Sequence, residues 1–130
     1  MSAKSTDLGK VQEIYDVVVL TKRQIEAVDL TREKFLDPPD DKTDLMAEGI
    51  MNRVLRVAEE AGRVEADTAS KYGFDSVGAR GVRNRLAHAY GDVDREIVWQ
   101  VIESDFDALL KACLSYCEDK GIDIMTRDTL

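Results

Sequence analysis

Apolar residues recur near the start of the chain at Leu8, Val11, Ile14, Tyr15, Val18, Ile25 and Val28, in steps of three and four that draw one stripe along a helix from about Ser5 to Val28. Lys22 and Arg23 fall in the gap of that stripe. Phe35 and Leu36 then lead into Asp37-Pro38-Pro39-Asp40-Asp41, where two prolines stop any helix; the stretch reads as a connection, with one short helix from Thr31 before it. A second stripe, Met46, Ile50, Val54, Val57, Ala61 and Val64, follows a cap at Thr43 or Asp44 and predicts a long helix to about Ser70. Tyr72-Gly73 breaks the pattern, and Asp75 or Ser76 can cap a shorter helix that carries Val77, Val82 and Leu86. After Tyr90-Gly91-Asp92, Asp94 caps a last long helix with Val98, Ile102, Phe106, Leu109, Cys113 and Tyr116 inward, which Lys120-Gly121 ends with a cation and a left-handed stop. Four main helices follow, with neither strand alternation nor an internal repeat, so the economical architecture is an all-α, antiparallel bundle of four to five helices.

Composition narrows this picture. With 130 residues, 44% hydrophobic, 34% charged and only 6% aromatic, the chain can bury one core of moderate size, and one domain over 1–130 is expected. That domain has a loose acidic connection around 37–44 and a flexible tail after about 121. Two prolines and eight glycines exclude collagen-like and low-complexity classes. No run approaches the roughly 18 apolar residues of a membrane span, and Met1 to Lys10 has no signal-peptide core, so a cytoplasmic protein with no membrane partner is expected. Cys113 and Cys117 stand four apart, a same-face packing interval rather than a redox or zinc spacing, and read as a reduced, buried pair.

Charge adds the first functional hint. The net charge is −8, which repels a polyanion at long range, yet from Ser76 to Gly91 there is no acidic residue, while Arg80, Arg83, Arg85 and the sole histidine, His88, all fall there. Taken alone, such arginines usually pair with acids elsewhere on the surface. The ordered string Arg83-Asn84-Arg85-Leu86-Ala87-His88-Ala89-Tyr90 resembles the Arg-x4-His-x-Tyr motif of HEPN domains, most closely that of HepT-like toxins. Asp94, Val98 and Trp99 resemble the family's aspartate and Val-Trp pair, and Glu60-Ala61 resembles part of a Gly-Glu-Ala signature. Two positions depart: Glu59 stands where the signature has glycine, and Phe74 stands near a frequent tryptophan.

The resemblance implies a HEPN-like, homodimeric bundle that cleaves RNA without a metal or other cofactor, as the toxin of a toxin–antitoxin pair. The residue types suit that chemistry. His88 can exchange protons near neutral pH, and Arg83, always charged, can hold phosphate oxygens with its planar fork. These two are the expected catalytic residues. Asn84, four residues before His88, shares a helical face with it and can orient the imidazole or contact substrate. Arg83 and His88, five apart, would lie roughly 140° apart around a helix, so the geometry needs a helix end, a long reach or a second copy. The resemblance implies the last, with both motifs of a two-fold dimer in one cleft. It also implies a partner, an MNT-type nucleotidyltransferase antitoxin, and gives Tyr90 a second role as a site of AMP attachment that would block an anionic substrate.

Other readings stay open at this level. The motif can serve a non-catalytic interaction module that binds its nucleotidyltransferase partner or a nucleotide, or the chain can be a plain helical dimer. Arg80 and Arg85 are read as surface ion-pair residues as readily as phosphate ligands. The acidic run Asp37 to Asp44 lacks the glycine and terminal glutamate of a calcium loop. Glu59 and Glu60 point to different faces, one histidine with no suitable cysteine spacing makes no zinc site, and Trp99 reads as core or dimer interface.

Overall fold

A computed structural model describes residues 6–87 and 94–124. All regular structure among them is helical: α1 (Asp7–Ala27), α2 (Arg32–Leu36), α3 (Asp41–Gly62), α4 (Ala66–Tyr72), α5 (Ser76–Ala87), α6 (Arg95–Gln100) and α7 (Phe106–Asp119), the last two joined by a π-helical turn over Val101–Asp105. The fold class is therefore the expected all-α bundle.

Capping by short polar side chains sets most of the helix starts. Thr6 accepts from Gly9 N–H, Thr31 from Lys34 N–H, Asp75 from Gly78 N–H, and Asp94 from the N–H groups of Glu96 and Ile97. Each satisfies a donor that the first helical turn leaves without a partner. One cap is corrected. The second long helix starts on Asp40, which accepts from Thr43 N–H at 2.8 Å, and not on Thr43 or Asp44. The acidic stretch expected as a loose connection is thus ordered from Asp41 onward as the first turn of α3, where negative charge suits the helix dipole.

The same helix ends earlier than its stripe predicts, at Gly62 instead of Ser70, and the chain resumes as α4 after an extended Glu65. The reason lies outside the local sequence. Asp7, at the start of α1, accepts from Glu65 N–H at 3.2 Å and from Thr68 Oγ1 at 2.5 Å, which caps α4 from across the fold. Gly73 (φ 89°) closes α4, and Gly121 (φ 67°) closes α7 with Ile122 N–H on Cys117 O at 2.8 Å, the left-handed exits that glycine adopts without strain.

The π-turn falls within the buried row of the last helical run. Val98, Ile102 and Phe106 are spaced four apart, and each four-residue step overshoots an ideal α-helical turn by about 40°. The wider π-turn absorbs that overshoot and keeps all three buried.

α1, α3 and the α6–α7 run enclose one hydrophobic cluster, with Phe35 of α2 and Phe74 of the α4–α5 joint plugging its ends. Phe35 and Trp99 stack at 5.2 Å, which makes Trp99 a core residue. α5 packs mainly on α3 and buries its row Ala79, Val82 and Leu86 only partly. Val77 lies off that row and is 73% exposed, contrary to its expected inward place; Leu8 and Val28, at the fraying ends of the α1 stripe, are exposed too. Ile122 and Ile124 rest against the cluster; the expected flexible tail lies, past that point, outside the described residues.

Candidate functional site

An outer helix with one partly buried row leaves its remaining faces to solvent, and α5 is where the basic string stands. Asn84 and Arg85 are exposed, and the Arg83 side chain is 43% exposed. Arg83 Nε sits 3.7 Å from Glu59 Oε1 on α3, and its Nη1 donates to Asn84 Oδ1 at 3.4 Å. His88 and Tyr90 lie outside the described residues, and with them the separation of Arg83 from His88.

Arg80, one turn earlier, is held by backbone. Its Nη1 donates to the Gly62 carbonyl at 2.9 Å, where the end of α3 leaves that oxygen without a helical partner. Gly62 makes this approach feasible: a Cβ there would come within 2.8 Å of Arg80 Cγ. Arg63, the residue after α3, has its Nη1 3.7 Å from Glu60 Oε1. Together Glu59, Gly62, Arg63, Arg80, Arg83 and Asn84 line an open groove of about 280 Å³ between the end of α3 and α5. Three arginines therefore line one hollow in an acidic protein. The sequence marks Arg80 and Arg83 through the local absence of acids; nothing in it joins them to Glu59 or Arg63, which arrive only through packing.

A second residue that escapes sequence reasoning is Arg95. Its Nη1 donates to Phe35 O at 2.8 Å, its Nη2 meets Asp44 at 2.9 Å and Glu48 at 3.5 Å, and its guanidinium lies 5.7 Å from the centre of the Phe35 ring. This clasp ties α2, α3 and α6 together directly after the Asp94 cap.

The other cavity of note, about 200 Å³ between α3, α5 and the π-turn, is mostly apolar, with Asp75 and Asp105 on its wall. Burial, and then the nearby Asp75 charge, push the Asp105 carboxyl above its ordinary value. It contains none of the expected site residues. Among the described residues no group of three or more His, Cys, Asp or Glu side chains is placed to hold a metal ion, and none of the helices is long and apolar enough to cross a membrane. Cys113 and Cys117 are both free thiols and both buried.

The site thus stands as an arginine-lined hollow on the outer helix of an all-helical bundle. Residues 24–115, more than two thirds of the chain, match the HepT-like family, described as "Ribonuclease HepT-like". The chain belongs to that family. No solved structure matches it.

Proposed function

We propose that the protein is the toxin of a toxin–antitoxin pair, a metal-independent endoribonuclease that works as a homodimer in the cytoplasm and is restrained by an MNT-type nucleotidyltransferase antitoxin. In this reading the whole of 1–130 is a single HEPN-like domain. The observation that carries it is Arg83: within a chain matched to the HepT-like ribonuclease family, this motif arginine is half exposed in a groove it shares with two further arginines.

The chemistry assigned to the motif is transfer of a phosphodiester to its own ribose. The 2′-oxygen attacks phosphorus as its proton passes to the imidazole of His88, the bond from phosphorus to the 5′-oxygen breaks, and that oxygen takes a proton from the second copy's protonated imidazole. The products are a 2′,3′-cyclic phosphate and a 5′-hydroxyl. Arg83 neutralises charge that grows on the non-bridging oxygens, which is worth most when its donors are already aimed at them. Asn84, bonded to Arg83, supports the arginine's placement in addition to any contact with substrate. Attachment of AMP to Tyr90 would add a phosphate beside these groups and repel RNA.

The test is cleavage of total cellular RNA in EDTA by the wild type, His88→Ala and Arg83→Ala. Loss of about 10²-fold or more in rate is expected for the histidine variant. Equal cleavage by wild type and both variants would sink the mechanism. The second reading, a non-catalytic module that uses the motif to bind its nucleotidyltransferase, is favoured by one observation, the pairing of Arg83 with Glu59 in the free protein. It predicts no cleavage by the wild type and weakened antitoxin binding by His88→Ala.

A further inference from the structure

The three arginines of the α3–α5 groove are held with unequal firmness. Arg80 is locked, because its stem lies against Gly62 and one of its five donors is committed to the Gly62 carbonyl at 2.9 Å, leaving the rest of a rigid fork for another acceptor. Arg63 and Arg83 are held loosely. Their acidic partners Glu60 and Glu59 stand at 3.7 Å, beyond a good hydrogen bond, and the Arg63 side chain is 64% exposed. Such open pairs are weak, whereas a phosphate can take two parallel hydrogen bonds from one guanidinium. Glu59 is the acidic residue on the groove wall, and it occupies the arginine that the motif supplies.

We infer that the groove between the end of α3 and α5 is a binding site for an RNA backbone phosphate, anchored by Arg80, from which Glu59 must first be displaced at Arg83. The ligand, though not the geometry, rests on the ribonuclease reading above. Arg80 acts as a preorganised phosphate receptor, since Gly62 and its carbonyl have already restricted the side chain. Glu59 acts as a resident counter-ion: it keeps Arg83 partly neutralised in the free protein and repels any anion that does not engage the arginines together. The site thereby favours a polyphosphodiester, which meets several arginines at once, over a single free phosphate.

The experiment measures binding apart from cleavage. A fluorescein-labelled single-stranded RNA whose 2′-hydroxyls are all methylated is titrated with the full chain and followed by anisotropy. Glu59→Gln is expected to tighten binding about three- to tenfold at low salt, with the advantage shrinking as salt rises. Arg80→Gln is expected to weaken it about threefold or more, because one anchored phosphate contact is lost. Should Arg80→Gln fail to fold, Gly62→Ala takes its place, since it pushes the Arg80 stem aside without changing any charge. Equal or weaker binding by a folded Glu59→Gln, binding by the Arg80 or Gly62 variant equal to wild type, or no binding of this RNA by wild type, overturns the inference. Parallel assays on unmethylated RNA separate the two ideas: cleavage with no effect of Glu59→Gln keeps the nuclease and rejects Glu59 as the resident counter-ion, and tightened binding without cleavage does the reverse.

Discussion

The thiols of Cys113 and Cys117 sit on the buried face of α7, and Cys113 Sγ reaches the Val11 carbonyl of α1 at 3.6 Å. Burial, and then the neighbouring Cys117, push the Cys113 thiol up to about 12, and burial raises Cys117 as well. Thiolate is the reactive form, so the native protein should be alkylated by iodoacetamide at pH 8 at least about a hundredfold more slowly than the urea-unfolded chain. Rapid labelling of the native protein would contradict a sealed α1–α7 interface. Arg95 is the other residue whose role is local and measurable. It is only 19% exposed and serves a backbone carbonyl, two carboxylates and an aromatic face at once. Arg95→Ala should cost about 1–3 kcal/mol in urea denaturation, since it strips a partly buried carbonyl of its donor. Arg95→Lys should recover little of that, because a point charge cannot fork between Phe35 O and Asp44.

Among elements, the joint between α1 and α4 is set by Asp7. Burial opposes the charge on this carboxyl, but hydrogen bonds from Thr68 and from the Glu65 N–H, with Lys10 nearby, outweigh it and hold the group below its ordinary value of 3.8. A carboxyl lowered in the folded state contributes stability that is complete above its ordinary value and is lost as pH falls through the lowered one. Asp7→Ala should therefore destabilise the protein by about 1–3 kcal/mol near neutral pH, with the gap to wild type closing under strong acid. Thermal melts at pH 7 and pH 2.5 check this; a gap that stays constant would mean the carboxylate is not what ties the two helices. Asp7 and Glu65 show why the break in the second long helix was illegible. The stripe from Met46 to Val64 suits one continuous helix, and what ends it is a side chain 58 positions away. The start of the last helix was legible because Asp94 caps its own neighbours; the π-turn that breaks the expected long helix was not, since the same four-residue spacing of buried residues runs through unbroken α3.

For the whole molecule the governing fact is the contrast between a net charge of −8 and a groove lined by three arginines. If all three engage phosphates, counterion release on a single strand gives a log–log salt slope near −2, so RNA cleavage should fall roughly tenfold or more between about 50 and 200 mM salt. An activity indifferent to salt would mean that the substrate is not held through this groove. The proposed dimer follows from the same economy, because the mechanism needs two proton carriers and each chain has one histidine. Light scattering should report twice the chain mass, and dimers that pair a wild-type chain with a His88→Ala chain should be nearly as impaired as the His88→Ala dimer, because each cleavage uses both histidines. Half of the wild-type activity in a confirmed mixed dimer would place each site within one chain.

What the order of residues determined by itself is everything that depends on near neighbours: the helical class, the caps at Asp75 and Asp94, the stops at Gly73 and Gly121, the buried thiols, and the basic string from Arg80 to His88 that resembles the HEPN motif. These are readable because their physics spans a turn or two of helix. Tertiary structure alone decided what meets across the fold: Asp7 on Glu65, Arg95 on Phe35 and Asp44, Glu59 on Arg83, and Gly62 beneath Arg80. Each of those contacts joins positions separated by 18 residues or more, and their partners are chosen by how the helices pack rather than by any periodicity along the chain.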